Sequence, residues 1–165
     1  MERAGAVKKR FFFYGTLTHA HDNPVTRAVL PLLGPAWRGW VRGRLHAVRH
    51  GEGWYPVLTP VSAGSVSGRV FGYVYDSGPR FTRATLRLLD AYENCDPRQP
   101  ARSEYRRRTV TVHVPGQGTV RADAYLFNRP LHPGLCPIPD GDFAAFIAAR
   151  GLSALGSGRA GARRR

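Results

Sequence analysis

The chain has 165 residues, is 42% hydrophobic and carries a formal charge of +14 at pH 7. This predicts one globular domain with a core that needs no disulfide support, and its two cysteines, which form neither a metal-ligand pair nor a disulfide pattern, favour a reducing, cytoplasmic setting. No apolar run is long enough for a membrane span, and the N-terminal segment lacks the features of a signal peptide.

The positive charge comes almost entirely from arginine, since Lys8 and Lys9 are the only lysines among 25 basic residues. Such a charge is typical of proteins with a nucleic-acid or membrane-surface partner. The chain is also rich in Ala, Gly and Pro, whose codons are GC-rich like those of arginine, so genome composition is an alternative source of the charge. We therefore expect neither nucleic acid nor a membrane as the partner.

The first half of the chain predicts strands joined by glycine turns. A buried strand from Arg10 to Tyr14 ends at a Gly-Thr-Leu turn, and Pro24 suits the first turn of a short helix. Alternating apolar residues and glycines predict further strands near residues 39–48, 54–58 and 66–75.

The second half begins with a change of period. From Phe81 the apolar spacing predicts an amphipathic helix that ends near Glu93, with Asn94 as a residue that tolerates the left-handed conformation. A loop then leads into two strands joined by a Pro-Gly hairpin turn, and Asp140-Gly141-Asp142 caps a last helix that stops at Gly151. These segments are 95–103 for the loop and 105–114 and 119–127 for the strands.

Five or six strands with two or three helices predict an α+β fold. We expect a small mixed β-barrel or strongly curled sheet with two to three flanking helices. Residues 10–152 would form this single domain, between a flexible lead at 1–9 and a basic, disordered tail at 153–165.

The turn Tyr14-Gly15-Thr16-Leu17 is the first candidate site. A strand end followed by glycine can direct several backbone N–H groups at one point, because glycine reaches unusual backbone angles and leaves room for close approach. Such a group of donors suits an anion. The alternative is a tight turn after a core strand, with no further role.

Asp90 and Glu93 form the second candidate site. They are three residues apart on the predicted helix and share a face. The helix C-terminus and burial would both raise the pKa of Glu93, so that its carboxylate could accept and return a proton near neutral pH. The alternative is that both acids pair with surface arginines. The scattered histidines predict no metal site.

Six short motifs stand in order between about Phe11 and Phe127. They are Tyr14-Gly15-Thr16-Leu17; Gly39, Gly43 and Leu45; Tyr55-Pro56; Leu89-Asp90-Ala91-Tyr92-Glu93; Tyr105-Arg106-Arg107 with Val110 and Val112; and Ala124-Tyr125-Leu126. This ordered pattern resembles the γ-glutamylcyclotransferase-like family, also called the AIG2-like family. The resemblance implies a small mixed barrel with flanking helices and an enzyme that needs neither metal nor cofactor.

The resemblance also implies roles for single residues. Backbone groups of the turn from Tyr14 to Leu17 would grip a γ-glutamyl moiety, Glu93 would be the acid/base, and Tyr125 would line the pocket. The substrate would be a γ-glutamyl amide or peptide. Attack of its own α-amine would release 5-oxoproline and a free amine.

Three further site candidates are Tyr105, Asp90 and Arg107, of which Arg107 could help to hold a carboxylate. In simple alternation Tyr105 and Arg107 face away from Val110 and Val112, so either a bulge intervenes or one pair is not inward. Asn94 stands where the family usually has glycine, and Asn can take the same backbone angle.

A second hypothesis is a non-catalytic basic binding module for an acidic partner or nucleic acid. It predicts salt-sensitive association and indifference to Glu93→Gln. No oligomeric state and no leaving amine are predicted.

Overall fold

The computed structural model describes residues 5–61 and 68–156, which contain eight strands and three α-helices. The strands are β1 (Arg10–Phe13), β2 (Leu33–His50), β3 (Gly53–Thr59), β4 (Gly68–Ser77), β5 (Tyr105–Val114), β6 (Gly118–Phe127), β7 (Cys136–Pro137) and β8 (Ser153–Ala154). The helices are α1 (Pro24–Val29), α2 (Arg83–Tyr92) and α3 (Phe143–Arg150), with 3-10 turns at Leu30–Leu32 and Pro100–Arg102.

The strands form a mixed sheet that curls back on itself. Its order is β4-β1-β6-β5-β2-β3-β8, and β2 also pairs with β4, which closes five strands into a ring. β1 runs parallel to β6 and antiparallel to β4. The long strand β2 pairs with β4 along its first part and with β3 along its second. The expected curled α+β sheet with two to three flanking helices is confirmed.

Two apolar cores lie on opposite sides of β1. Phe12 belongs to the barrel interior, together with Val41 and Val112. Phe11 and Phe13 face outward into a second cluster that includes residues of α1 and α2, among them Val29 and Leu89. A strand buried on both faces reads as a continuous apolar run rather than an alternating one, which is why three phenylalanines stand in sequence.

The same two-core arrangement settles the orientation of β5. Its pairing with β6 runs without interruption from Tyr105↔Phe127 to Val114↔Gly118. Tyr105 lies in the outer cluster, whereas Val112 and Val114 lie inside the barrel. No bulge intervenes, and the two sets of side chains serve different cores.

The helix ends follow the capping residues of the sequence. Asn23 accepts hydrogen bonds from the backbone of Val25 and Thr26 at the start of α1. Asn94, just beyond α2, has a φ of 47°. Asp142 caps α3, which ends at Gly151 in the left-handed conformation.

Chain segments on both sides of the predicted domain contact it. The backbone N–H of Val7 donates to the Phe81 carbonyl at 3.0 Å, and that of Lys9 donates to Ser77 Oγ at 2.7 Å. β8 pairs with β3 beyond residue 152. The domain limits stay predictions, and residues 1–4 and 157–165 of the predicted lead and tail lie outside the described part. In that part no helix is both long and apolar enough to cross a membrane.

Candidate active site

A cavity of about 210 Å³ opens where β1 ends. Its walls come from the turn after β1, the start of β3, the C-terminal end of α2 and the junctions around β5 and β6. The residues that define it are Phe12, Phe13, Tyr14, Gly15, Thr16, Leu17, His50, Tyr55, Pro56, Tyr92, Glu93, Glu104, Tyr105, Tyr125 and Leu155. The cavity therefore brings the predicted turn and Glu93 to one place.

Gly15 is required by close packing against β3. A Cβ atom at this position would overlap the Cγ atom of Pro56. Its φ is not among the positive values of the described chain, so backbone freedom is not the reason for glycine here. Glycine was predicted here either for an unusual backbone angle or for close approach, and the structure shows that close approach is the reason.

Two carbonyl groups of the turn accept hydrogen bonds from side chains that follow it in the sequence. Thr18 Oγ1 donates to the Gly15 carbonyl at 3.1 Å, and Asn23 Nδ2 donates to the Thr16 carbonyl at 2.7 Å. The Thr16 hydroxyl lies 2.9 Å from the Tyr92 hydroxyl, which ties the turn to the end of α2. Within residues 5–61 and 68–156, the backbone N–H groups of Gly15, Thr16 and Leu17 donate no hydrogen bond to protein.

Glu93 is the C-cap of α2, and its partly buried side chain lines the cavity. No donor or cation in the described part of the chain contacts its carboxylate. Burial, followed by the charge of Glu104, raises the pKa of Glu93 to about 8. Near neutral pH both protonation states are populated, which is the condition for efficient proton transfer in either direction.

The cavity lining holds a second carboxylate. Glu104, just before β5, accepts a hydrogen bond from the Tyr55 hydroxyl at 2.7 Å. Tyr105 donates to the Pro56 carbonyl at 2.8 Å and so fixes the strand that packs on Gly15. No lysine or arginine is among the described residues that line the cavity, so its charged groups are acidic in a strongly basic chain.

Asp90 and Arg107 lie behind the cavity rather than in its lining. Arg107 Nε donates to Asp90 Oδ1 at 3.0 Å, and its Nη1 donates to Asp123 at 3.1 Å. Tyr125, which lines the cavity, donates its hydroxyl to the buried Asp90 at 2.7 Å. Arg107 is not among the residues that line the cavity, and its N–H groups donate to two aspartates, so its role in holding a substrate carboxylate stays a prediction.

Tyr14 joins the cavity to the same network. Its buried hydroxyl donates to the Tyr125 carbonyl. Burial, followed by the charge of Glu93, raises the pKa of Tyr14 well above its usual range, so this phenol stays protonated. Tyr14 therefore acts as a fixed donor that holds β6 against the turn.

Eight of the lining residues were not predicted as site residues, namely Phe12, Phe13, His50, Tyr55, Pro56, Tyr92, Glu104 and Leu155. Tyr55 and Tyr92 belong to the motifs that carry the family resemblance, so these motifs could have indicated them as site residues. Glu104 precedes a strand at the end of a loop and carries no pattern of its own. Among the described residues, no cluster of three His, Cys, Asp or Glu side chains could hold a metal ion.

A family model described as gamma-glutamyl cyclotransferase, AIG2-like, matches residues 11–145, which confirms the resemblance indicated by the motifs. No curated protein matches the sequence. The fold is similar to that of an AIG2-like protein from Mus musculus, with 22% identity and a TM-score of 0.62 over 89% of this chain and 95% of that chain.

Two further solved structures share the fold at lower identity. A protein specific to uropathogenic E. coli has 12% identity and a TM-score of 0.55, with 87% of this chain and 97% of that chain covered. A gamma-glutamyl cyclotransferase from yeast, specific to glutathione, has 11% identity and a TM-score of 0.51, with 86% and 84% covered. At these identities the likeness concerns the fold alone.

Proposed function

The chain belongs to the gamma-glutamyl cyclotransferase, AIG2-like family, and from this we propose that it cleaves a γ-glutamyl amide by cyclising the γ-glutamyl group. The products are 5-oxoproline and a free amine. The substrate is a small γ-glutamyl compound, and the reaction is an acyl transfer within one molecule.

The turn after β1 binds the amino-acid end of the substrate. The N–H groups of Gly15, Thr16 and Leu17 lack acceptors in the described part of the chain, and all three residues line the cavity. Backbone donors grouped in one turn can bind a carboxylate without a charged side chain. This suits a cavity whose own ionisable groups, Glu93 and Glu104, are acidic. The substrate α-carboxylate therefore sits at the turn, with its α-amine towards Glu93.

Glu93 carries the proton through the reaction. Its carboxylate takes a proton from the α-amine as the amine nitrogen attacks the γ-carbonyl carbon, which forms the new C–N bond of a five-membered ring. The bond from that carbon to the leaving nitrogen then breaks, and Glu93 returns the proton to this nitrogen. Ring closure is intramolecular, so the protein mainly has to hold the attacking amine against its carbonyl.

The observation that carries this proposal is the state of Glu93. It is a carboxylate without a partner among the described residues, in the same cavity as the free N–H groups of the turn, with a pKa of about 8. A structural acid would be paired, as Asp90 is. An unpaired acid at the edge of a cavity is poised to exchange protons with a ligand.

The test is to incubate the purified protein with a panel of γ-glutamyl amides and to measure 5-oxoproline. The panel contains γ-glutamyl amino acids, glutathione and ε-(γ-glutamyl)-lysine. We expect release from at least one member, and its loss in Glu93→Gln. The matched control is Glu52→Gln, the same change at an exposed position in the β2–β3 turn, which keeps full activity.

No 5-oxoproline from any panel member, with folding verified by circular dichroism, would contradict the proposal. The alternative hypothesis, a non-catalytic binding module, predicts a different result: the chain would bind its ligand equally well with and without the Glu93→Gln substitution.

A further inference from the structure

The outer surface of β2 and β4 carries a second arrangement of charged and aromatic side chains. Gly39, Val41 and Gly43 are buried towards the barrel interior. Strand alternation therefore turns Arg38, Trp40 and their even-numbered neighbours outward. None of these residues lines the cavity around Glu93. We call the outward side chains of residues 38–44 and 69–73, with His113, the arginine face.

The sheet register places arginines and aromatic rings next to each other across the strands. Trp40 lies opposite Phe71 on β4 and opposite His113 on β5, and Arg42 lies opposite Arg69. The Arg69 guanidinium carbon is 4.3 Å from the centroid of the Trp40 ring. The Trp40 and His113 rings stack with centroids 4.0 Å apart and planes 9° apart.

A second stack lies beside this one. The guanidinium carbon of Arg38 is 5.3 Å from the Phe71 ring centroid and 5.4 Å from that of Tyr73. Its Nη2 also donates to Asp142 at 2.8 Å. Guanidinium groups therefore lie over aromatic rings at two neighbouring places on the face.

Most of the positive charge on the arginine face has no counter-charge. Arg42, Arg44 and Arg69 are exposed, and none of them pairs with a carboxylate in the described part of the chain. Elsewhere arginines such as Arg107 are paired with aspartates. The arginine face is therefore a strongly positive patch whose charge is free to meet an anionic ligand.

Composition alone did not favour a nucleic-acid partner, but from the geometry of this face we propose that it binds the phosphates of an RNA or DNA single strand. Alternate residues of a strand repeat at about 6.7 Å, so Arg42 and Arg44 present donors at intervals close to successive phosphates of an extended chain. A guanidinium stacked on an aromatic ring keeps its N–H edge for hydrogen bonding and loses little conformational freedom on binding.

The aromatic rings favour nucleic acid over other polyanions. Single-strand binding surfaces combine arginines that follow the backbone with rings and guanidinium planes that bases can stack on. Phe71 and Tyr73 are only partly buried, and the exposed Arg38 guanidinium lies over both rings. An acidic protein or a membrane headgroup layer would use the charge of this face but not the planar surfaces that its guanidinium groups offer to bases.

The test is fluorescence anisotropy of labelled 15-nucleotide oligo-dT and oligo-U with the full chain at 50 mM and 200 mM salt. We expect binding of both single strands, weaker binding of a duplex of the same length, and strong weakening with salt. Arg42→Gln/Arg69→Gln should lower single-strand affinity at least tenfold. It should also reduce the slope of log K against log salt by about 1.4, for two phosphate contacts on a single strand.

Arg83→Gln/Arg87→Gln is the matched control, because it removes the same charge from the exposed face of α2. We expect less than a threefold change in affinity for this variant. Glu93→Gln should bind the strands like the unaltered chain, which separates this proposal from the cyclotransferase. Equal weakening by both double variants, tighter binding of duplex, or binding only to anionic phosphatidylserine vesicles would each overturn the proposal.

Discussion

Asp90 and Glu93 lie one turn apart at the end of the same helix, but their surroundings differ. Asp90 is buried and accepts hydrogen bonds from Arg107 and Tyr125. Glu93 lines the cavity and has no partner in the part of the chain that the structure describes, and burial raises its pKa to about 8. Both carboxylates lose contacts with water on folding, but only that of Asp90 gains hydrogen bonds from the protein in their place.

The difference separates a carboxylate that holds the fold from one that is free to react. A buried charge that is paired and hydrogen-bonded is tolerated, whereas an unpaired one prefers to bind a proton. The Asp90 region therefore fixes Tyr125 and β5 behind the cavity. Glu93 lines the cavity and tends to hold a proton there. Burying its carboxylate without a partner lowers the stability of the fold.

The largest expected effect is the loss of activity in Glu93→Gln. The amide keeps the size of the side chain but cannot accept and return a proton, so kcat/KM should fall by about 10³-fold, within the usual range for a general acid/base. The measurement is 5-oxoproline release. Unchanged circular dichroism is expected, and an activity within tenfold of the unaltered chain would remove the distinction between the two acids.

Asp90→Asn should mainly lower stability and should affect activity much less than Glu93→Gln does. It weakens the charged hydrogen bonds of Arg107 and Tyr125, so the free energy of unfolding should fall by about 2 kcal/mol. The loss of kcat/KM should stay well below that of Glu93→Gln. Urea unfolding with parallel kinetics measures both quantities. A variant that is fully stable but inactive would show that Asp90, too, belongs to the reacting groups.

Gly15→Ala tests the packing that forms the turn. The new methyl group would overlap Pro56, so either the turn or β3 must shift, with a cost of about 1–3 kcal/mol in stability and a raised KM. Gly5→Ala is the control, because a Cβ at Gly5 meets nothing within 4 Å. Thermal unfolding and kinetics should separate the two variants, and equal behaviour would refute the packing argument.

The pH dependence of kcat/KM should show the pKa of Glu93. In the proposed mechanism the deprotonated form of Glu93 starts the reaction, so kcat/KM should fall about tenfold per pH unit below a pKa of about 8. A rate that is constant between pH 5 and pH 8 would contradict a base with this pKa.

Stability should follow the opposite trend over the same range. The folded pKa of Glu93 lies above the unfolded value near 4.5, so the folded state binds more protons between these two values. The free energy of unfolding therefore contains a contribution that is complete below about pH 4.5 and is lost as pH rises through 8. Glu93→Gln should remove this part of the pH dependence, as chemical unfolding at several pH values would show.

The smallest effect is expected at Asn94, which follows Glu93 with a φ of 47°. Glycine adopts this angle more easily, so Asn94→Gly should raise stability by less than about 1 kcal/mol and leave activity unchanged. A clear loss of activity would mean that the Asn94 side chain, and not only its backbone, positions Glu93.

Local signals predicted much of this fold. The Asn-Pro start of α1, the aspartate and glycine that bound α3, and the apolar run of β1 each have a local physical cause, namely capping or burial. The turn and Glu93 were predicted as site candidates because they lie in compact motifs. Contacts between residues that are distant in sequence were not predictable in this way.

Two examples show what the sequence does not contain. The sequence around Arg107 does not show whether this arginine binds substrate or pairs with Asp90 and Asp123. Its pairing depends on how β5 and β6 pack against α2. Glu104 enters the cavity only because β5 begins beside Tyr55. The arginine face likewise becomes visible only when the register aligns Arg69 with Trp40.

The most direct test of the difference between the two acids is a ¹³C NMR titration of the glutamate carboxyl groups, with the Glu93 signal assigned by its loss in Glu93→Gln. We expect a midpoint near pH 8 for this signal. A midpoint near 4.5, the ordinary value for a glutamate, would mean that Glu93 is solvated or paired, and would contradict its assignment as the proton carrier.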